Sequence, residues 1–183
     1  MCENYFSTSI RPDWEGLKAT ILREKIPTRV YFIELFLDQE IQDAVCDRFG
    51  LIEKSSIGDA ETSLKKHLAV QRFLGYDYVR CSIDDFDMPI HLVSATDTAD
   101  LQRTTGRKYV DEHKGPITLW EEFEKYPWPD VSAMCTRSFE YWQKNLPDDM
   151  CVIAHGGFAH FAEYLSWLMG YETLCYALFE NRD

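Results

Sequence analysis

The chain has 183 residues, of which 45% are hydrophobic and 14% aromatic, enough for one packed domain and too apolar for a disordered chain. Its 31 acidic residues outnumber 19 basic ones and leave a formal charge of -12, so nothing attracts it to phosphate backbones or anionic lipid. Nucleic acid and membrane surfaces are therefore not expected partners.

Residues 1–9 lack the basic start and apolar run of a signal peptide, and no stretch approaches the roughly 20 apolar residues that span a bilayer. A cytoplasmic protein is expected. Cys2, Cys46, Cys81, Cys135, Cys151 and Cys175 are scattered singly, with no Cys-x-x-Cys or Cys-x-His spacing. Reduced core thiols are expected, with no metal site and no cofactor held by this chain.

Along the chain, Leu17, Ile21 and Leu22 recur at helical spacing behind a possible N-cap, Asp13, so a first helix is expected over 14–25, stopped by Pro27. The run 29–38 is nearly all apolar, β-branched or aromatic, with one interior charge, Glu34, and then Asp38. That is the pattern of a parallel strand buried on both faces. A helix over 39–49 stops at Gly50, and a longer amphipathic one over 59–74 stops at Gly75. Residues 76–83 read as a second strand.

From 84 to 129 the periodicity disappears among prolines and glycines, which predicts a long excursion with a small hairpin near 107–118. Helix returns over 131–145, and 150–154 is a third strand. His155-Gly-Gly-Phe158 is a glycine-rich turn into a helix over 159–169, and a last helix covers 172–180. Three buried-type strands alternating with helices predict an α/β fold with a parallel sheet. A (β/α)8 barrel takes about 250 residues, so only its first three or four strands with flanking helices are expected here, a partial TIM barrel forming one domain over 1–183. Glu34, Asp84 and His155 should then lie close together at the strands' carboxyl ends.

Three segments together resemble the uroporphyrinogen decarboxylase-like family, a barrel superfamily that also holds corrinoid-dependent methyltransferases. They are Lys25-Ile-Pro-Thr-Arg-Val-Tyr-Phe-Ile-Glu-Leu-Phe-Leu-Asp38; Leu74-Gly-Tyr-Asp-Tyr-Val79 running on to Asp84 and Asp85; and Phe123-Glu-Lys-Tyr-Pro-Trp-Pro-Asp130 followed by His155-Gly-Gly-Phe158 and Leu168-Met-Gly-Tyr-Glu172. The resemblance implies lyase-type chemistry on a small molecule in porphyrin metabolism. It places Asp84 where the family has the aspartate that faces pyrrole nitrogens. It also implies that the catalytic histidine of the decarboxylases, or the zinc ligands of the methyltransferases, would lie beyond residue 183. The expectation is an N-terminal fragment, inactive in isolation, whose partner is the missing C-terminal half of the barrel or a second copy of itself. Where the decarboxylases carry an arginine-rich loop that grips substrate carboxylates, this chain has Glu34, Asp38 and Glu40. Carboxylates cannot replace guanidinium forks as anion binders, which argues against the porphyrinogen itself. The alternatives are part of a corrinoid-dependent methyltransferase, or a non-catalytic half-barrel binding module.

Glu34, a lone carboxylate in an apolar run, must be paired, protonated or facing a cavity. It reads either as a general acid, base or amine ligand, or as the partner of Arg29 or Arg80. Asp84, with Asp85 and Asp87, reads as a pocket carboxylate or as part of a solvated loop. His155 is a candidate proton relay beside the glycine turn or a cap, while His160 is expected to pack. With Glu34, Asp84 and His155 as catalytic candidates, the substrate-binding candidates are Asp38, Trp128, Tyr164 and Trp167, the tryptophans and tyrosine being equally suited to core or loop anchoring. His67, following Lys65 and Lys66, is expected at the surface.

Overall fold

Backbone hydrogen bonding in the computed structural model, which describes residues 11–34, 37–52, 60–96, 106–155 and 160–180, builds a mixed helix and sheet protein. The chain divides into two compact units, one comprising Met1–Ser82 with Thr136–His155 and the other Ile83–Cys135 with Gly156–Asp183.

The first unit opens with α1 (Trp14–Ile21), capped by the Asp13 side chain, which accepts from the Gly16 N–H at 3.0 Å. The helix is shorter than the expected 14–25 because Arg23 enters the left-handed region at φ 59° and the Glu24 N–H returns to the Ala19 carbonyl. α2 (Gln39–Phe49) ends as expected at Gly50, whose φ of 61° suits a residue with no Cβ. α3 (Ala60–Leu74) ends at Gly75, again left-handed at φ 83°. β1 (Tyr78–Cys81), α5 (Arg137–Asn145) and β4 (Cys151–Ala154) complete the unit.

β1 and β4 pair in parallel, with Tyr78 beside Cys151 and Cys81 beside Ala154. The ladder is extended by the Cys151 N–H to Asp77 O at 3.1 Å and the His155 N–H to Cys81 O at 2.8 Å. Side chains alternate along a strand, and Val79 and Cys81 carry the core. They pack with Trp142 and Met150 and, around these, Leu64 and Leu68 of α3 and Phe139 of α5. Trp142 is 1% exposed, which makes it the largest fully buried side chain. The two helices thus cover one face of a parallel pair, the layering that parallel strands require.

The first expected strand, over 29–38, is absent among the described residues. Val30 to Glu34 form no ladder, and Leu35 and Phe36 lie outside the described residues. The segment is tied to the unit by side chains instead: Arg29 pairs with Asp77, and the Glu34 N–H donates to the Tyr78 hydroxyl at 2.9 Å. Val30, Phe32 and Ile33 stay 73%, 48% and 59% exposed. A run of strand-forming residues becomes a strand only where a neighbour supplies backbone partners and a second layer, and neither is present among the described residues.

The second unit holds an antiparallel pair, β2 (Leu92–Ala95) with β3 (Arg107–Val110), so the hairpin falls earlier than 107–118 and its connection, 97–105, lies outside the described residues. α4 (Trp120–Lys125) occupies what reads as irregular chain, because Glu122 reaches back to the N–H groups of Thr118 (2.7 Å) and Leu119 (3.1 Å) and starts a helix there. A single 3-10 turn at Val131–Ala133, capped by Asp130, replaces the first part of the helix expected over 131–145. α6 (Phe161–Met169) and α7 (Tyr171–Glu180) follow. Ile117, Tyr126 and Leu168 form the core, with Met88 and Ile90 against it. The close approach that builds it needs Gly115: a methyl there would lie 2.1 Å from the Leu168 carbonyl oxygen, the atom that accepts from the Ile117 N–H.

Candidate functional site

The first unit concentrates polar side chains along β1 and at the carboxyl end of β4. Asp77, immediately before β1, is 0% exposed and accepts from the Asp13 N–H at 2.7 Å and from the Arg29 guanidinium. Its other oxygen, and the second terminal nitrogen of Arg29, are buried with no hydrogen-bond partner among the described residues. A buried carboxylate persists only with such a counter-ion, so Arg29 is committed to Asp77 rather than to Glu34.

Glu34 is held by its backbone. The Tyr78 phenol, 1% exposed, accepts from the Glu34 N–H at 2.9 Å and donates to the Glu34 carbonyl at 3.3 Å. Burial raises the Tyr78 pKa, keeping the phenol protonated as a donor, although Arg80 pulls the other way. Burial raises Tyr76 as well, with the negative charge of Glu34 adding to it, which places the Glu34 carboxylate within electrostatic reach of that ring.

His155 follows β4 directly, its backbone fixed by the bond to Cys81. Its imidazole pKa falls below 6.5, chiefly through loss of water around the ring and then through Arg80. A neutral imidazole can accept a proton at one nitrogen and donate from the other. Arg80, on β1 beside Ile153 of β4, therefore acts on Tyr78 and on His155 together. Tyr78 thus meets the Glu34 backbone, and Arg80 lies within electrostatic reach of Tyr78 and of His155. Asp38 stands at the start of α2, where its carbonyl accepts from Ile41 and Gln42.

The remaining candidates belong to the second unit. Asp84 and Cys135 exchange two backbone hydrogen bonds, at 3.0 and 3.3 Å, and the Cys135 thiol donates to Asp85 at 3.4 Å. Tyr164 and Trp167 pack ring to ring at 5.0 Å on α6, and the Tyr164 pKa is raised by burial and by Glu163 and Asp87. Trp128 donates its indole N–H to the Phe123 carbonyl at 3.0 Å and packs on Phe123 and Tyr126, which is how an anchored loop aromatic behaves. His160 does not pack: it precedes α6 exposed, 3.5 Å from Glu163. The turn residues 156–159 lie outside the described residues.

Among the described residues no group of three His, Cys, Asp or Glu side chains could hold a metal ion, and no helix is long and apolar enough to cross a membrane. Cys46, Cys81, Cys135, Cys151 and Cys175 are free thiols.

Sequence reasoning undervalued three residues. Asp77 and Arg80 are charges inside a strand-like run, the same signal that singled out Glu34. His67 is not a surface residue. Its ring lies 6.4 Å from that of Trp142, and burial, then Arg80, lowers its pKa. Lys65 and Lys66 precede it, but Leu64 and Gln71, three positions before and four after, share its inward face. No protein-family model, curated protein or solved structure matches this chain.

Proposed function

We propose that the chain contributes opening strands of a (β/α)8 barrel of the uroporphyrinogen decarboxylase-like type, with lyase-type chemistry on a small molecule at the strands' carboxyl ends. The observation that carries this reading is the parallel β1–β4 pair, covered on one face by α3 and α5, with Arg80 and His155 at its carboxyl end and Glu34 beside Tyr78. In parallel α/β sheets ligands bind at that end, where loops from several strands converge.

In this reading Glu34 receives an amine or N–H group of the substrate, His155 relays a proton, and Arg80 holds a developing negative charge. The test is saturation-transfer NMR with 2-(aminomethyl)pyrrole as a minimal amine-bearing probe and pyrrole-2-carboxylate as its anionic counterpart. The aminomethyl probe should bind in preference, and Glu34→Gln should remove that preference. The same preference for the aminomethyl probe in Glu34→Gln as in wild type, or a wild-type preference for the carboxylate, would refute the reading.

A second reading, a half-barrel that associates with another chain, is favoured by the exposed apolar run Val30, Phe32 and Ile33. Covering that run stabilises by roughly 25 cal/mol per Å² of apolar area, and unpaired strand-like segments are templates for association. Light scattering should then give a mass above 21.4 kDa that falls on Val30→Lys/Phe32→Lys.

A further inference from the structure

His67 lies on α3 where three buried polar atoms have no hydrogen-bond partner among the described residues: His67 Nε2, Gln71 Oε1 one helical turn on, and Trp142 Nε1 of α5. Around them are Leu64, Leu68, Val79 and Trp142, the core that fastens both helices to the β1–β4 pair. The charged groups near the imidazole are few. β1 offers Arg80, a cation; α5 offers Trp142, which is uncharged; α2 meets α3 through Asp43, and that carboxylate is taken by Lys66 at 2.6 Å. Among the described residues no carboxylate bears on the imidazole, and a second positive charge would sit beside Arg80 in an apolar contact.

We propose that His67 is an acid-sensitive wedge: neutral, it fills the contact between α3, α5 and β1; protonated, it drives these elements apart and loosens the strand pair that carries Arg80 and His155. The direction follows from linkage. The folded-state pKa lies below the 6.5 of the unfolded chain, so the unfolded state binds more protons as pH falls. Stability contributed by the neutral ring is complete above pH 6.5, is lost as pH drops from there toward the folded-state value, and levels off below it. This proposal stands independently of the lyase reading, because it concerns the core and no substrate.

The experiment is urea unfolding of the whole chain at pH 7.5 and pH 5.0, for wild type, His67→Gln and, as a control at an exposed side chain, His113→Gln. The unfolding constant of wild type should rise on acidification by on the order of tenfold more than that of His67→Gln, while His113→Gln stays close to wild type. The same acid response in His67→Gln as in wild type would overturn the proposal. Should His67→Gln fail to fold, histidine NMR of the wild type decides. A His67 ring that stays neutral in the folded chain well below pH 6.5 supports the proposal, and one that titrates at or above 6.5 overturns it.

Discussion

Two stretches of the first unit have nearly the same composition and opposite fates. Residues 30–34 and 78–81 are both runs rich in aromatic and β-branched residues carrying one charge, Glu34 in the first and Arg80 in the second. The second pairs with β4 and is sealed by α3 and α5, with Val79 0% exposed; the first has no ladder and leaves Val30 73% exposed. Apolar composition creates the demand for burial, but only a neighbouring backbone and a covering layer turn a run into a strand.

That contrast breaks most visibly at Trp142, the side chain that closes the layer over β1 and β4. Trp142→Ala should cost about 4 kcal/mol, the range for emptying a large aromatic site in a core, and urea melts followed by circular dichroism would show it. Phe32→Ser, an aromatic truncation in the uncovered run, should change the same melt by less than about 0.5 kcal/mol.

The next effect is at the hinge between the two stretches. Asp77→Asn removes the charge that Arg29 needs, leaving a guanidinium that is three-quarters buried without its counter-ion, and should cost roughly 3 kcal/mol in the same assay. Arg29→Met in that background should restore part of it, because the double variant leaves no orphaned charge. Tyr78→Phe sharpens the comparison further. It removes both hydrogen bonds between its hydroxyl and the Glu34 backbone and should cost about 1 kcal/mol, while leaving the β1–β4 ladder in place. A smaller effect than at Asp77 is expected at Arg72, where the side chains of the Arg72–Asp149 pair are 44% and 39% exposed and screened by water; Arg72→Ala should cost below about 1 kcal/mol. The pair holds the Asp149 carboxyl below 3.8, so its share of stability is present above that pH and lost as pH falls through the lower folded-state value.

The local signals in the sequence carried well. Gly50 and Gly75 stop α2 and α3 because a left-handed residue ends a helix whatever surrounds it. β1 and β4 were legible because short apolar runs between helices have few other places to go. α4 was hidden, since its start depends on Glu122 reaching back across a short helix set among prolines. In the site, Glu34 and His155 stood out by residue type and place. The pairing of Arg29 with Asp77, 48 positions apart, could not be read, because long-range partners leave no periodic trace. His67 was misplaced by giving weight to its lysine neighbours over Leu64 and Gln71 on its own helical face.

Amide hydrogen exchange by NMR tests the central contrast most directly. The Cys151 and His155 amides, which donate to Asp77 and Cys81 across the parallel pair, should exchange slower than those of Val30, Tyr31, Phe32 and Ile33 by on the order of a hundredfold or more. Protection of Val30 to Ile33 equal to that of Cys151 and His155 would mean that 29–34 is a paired strand, and would contradict the account.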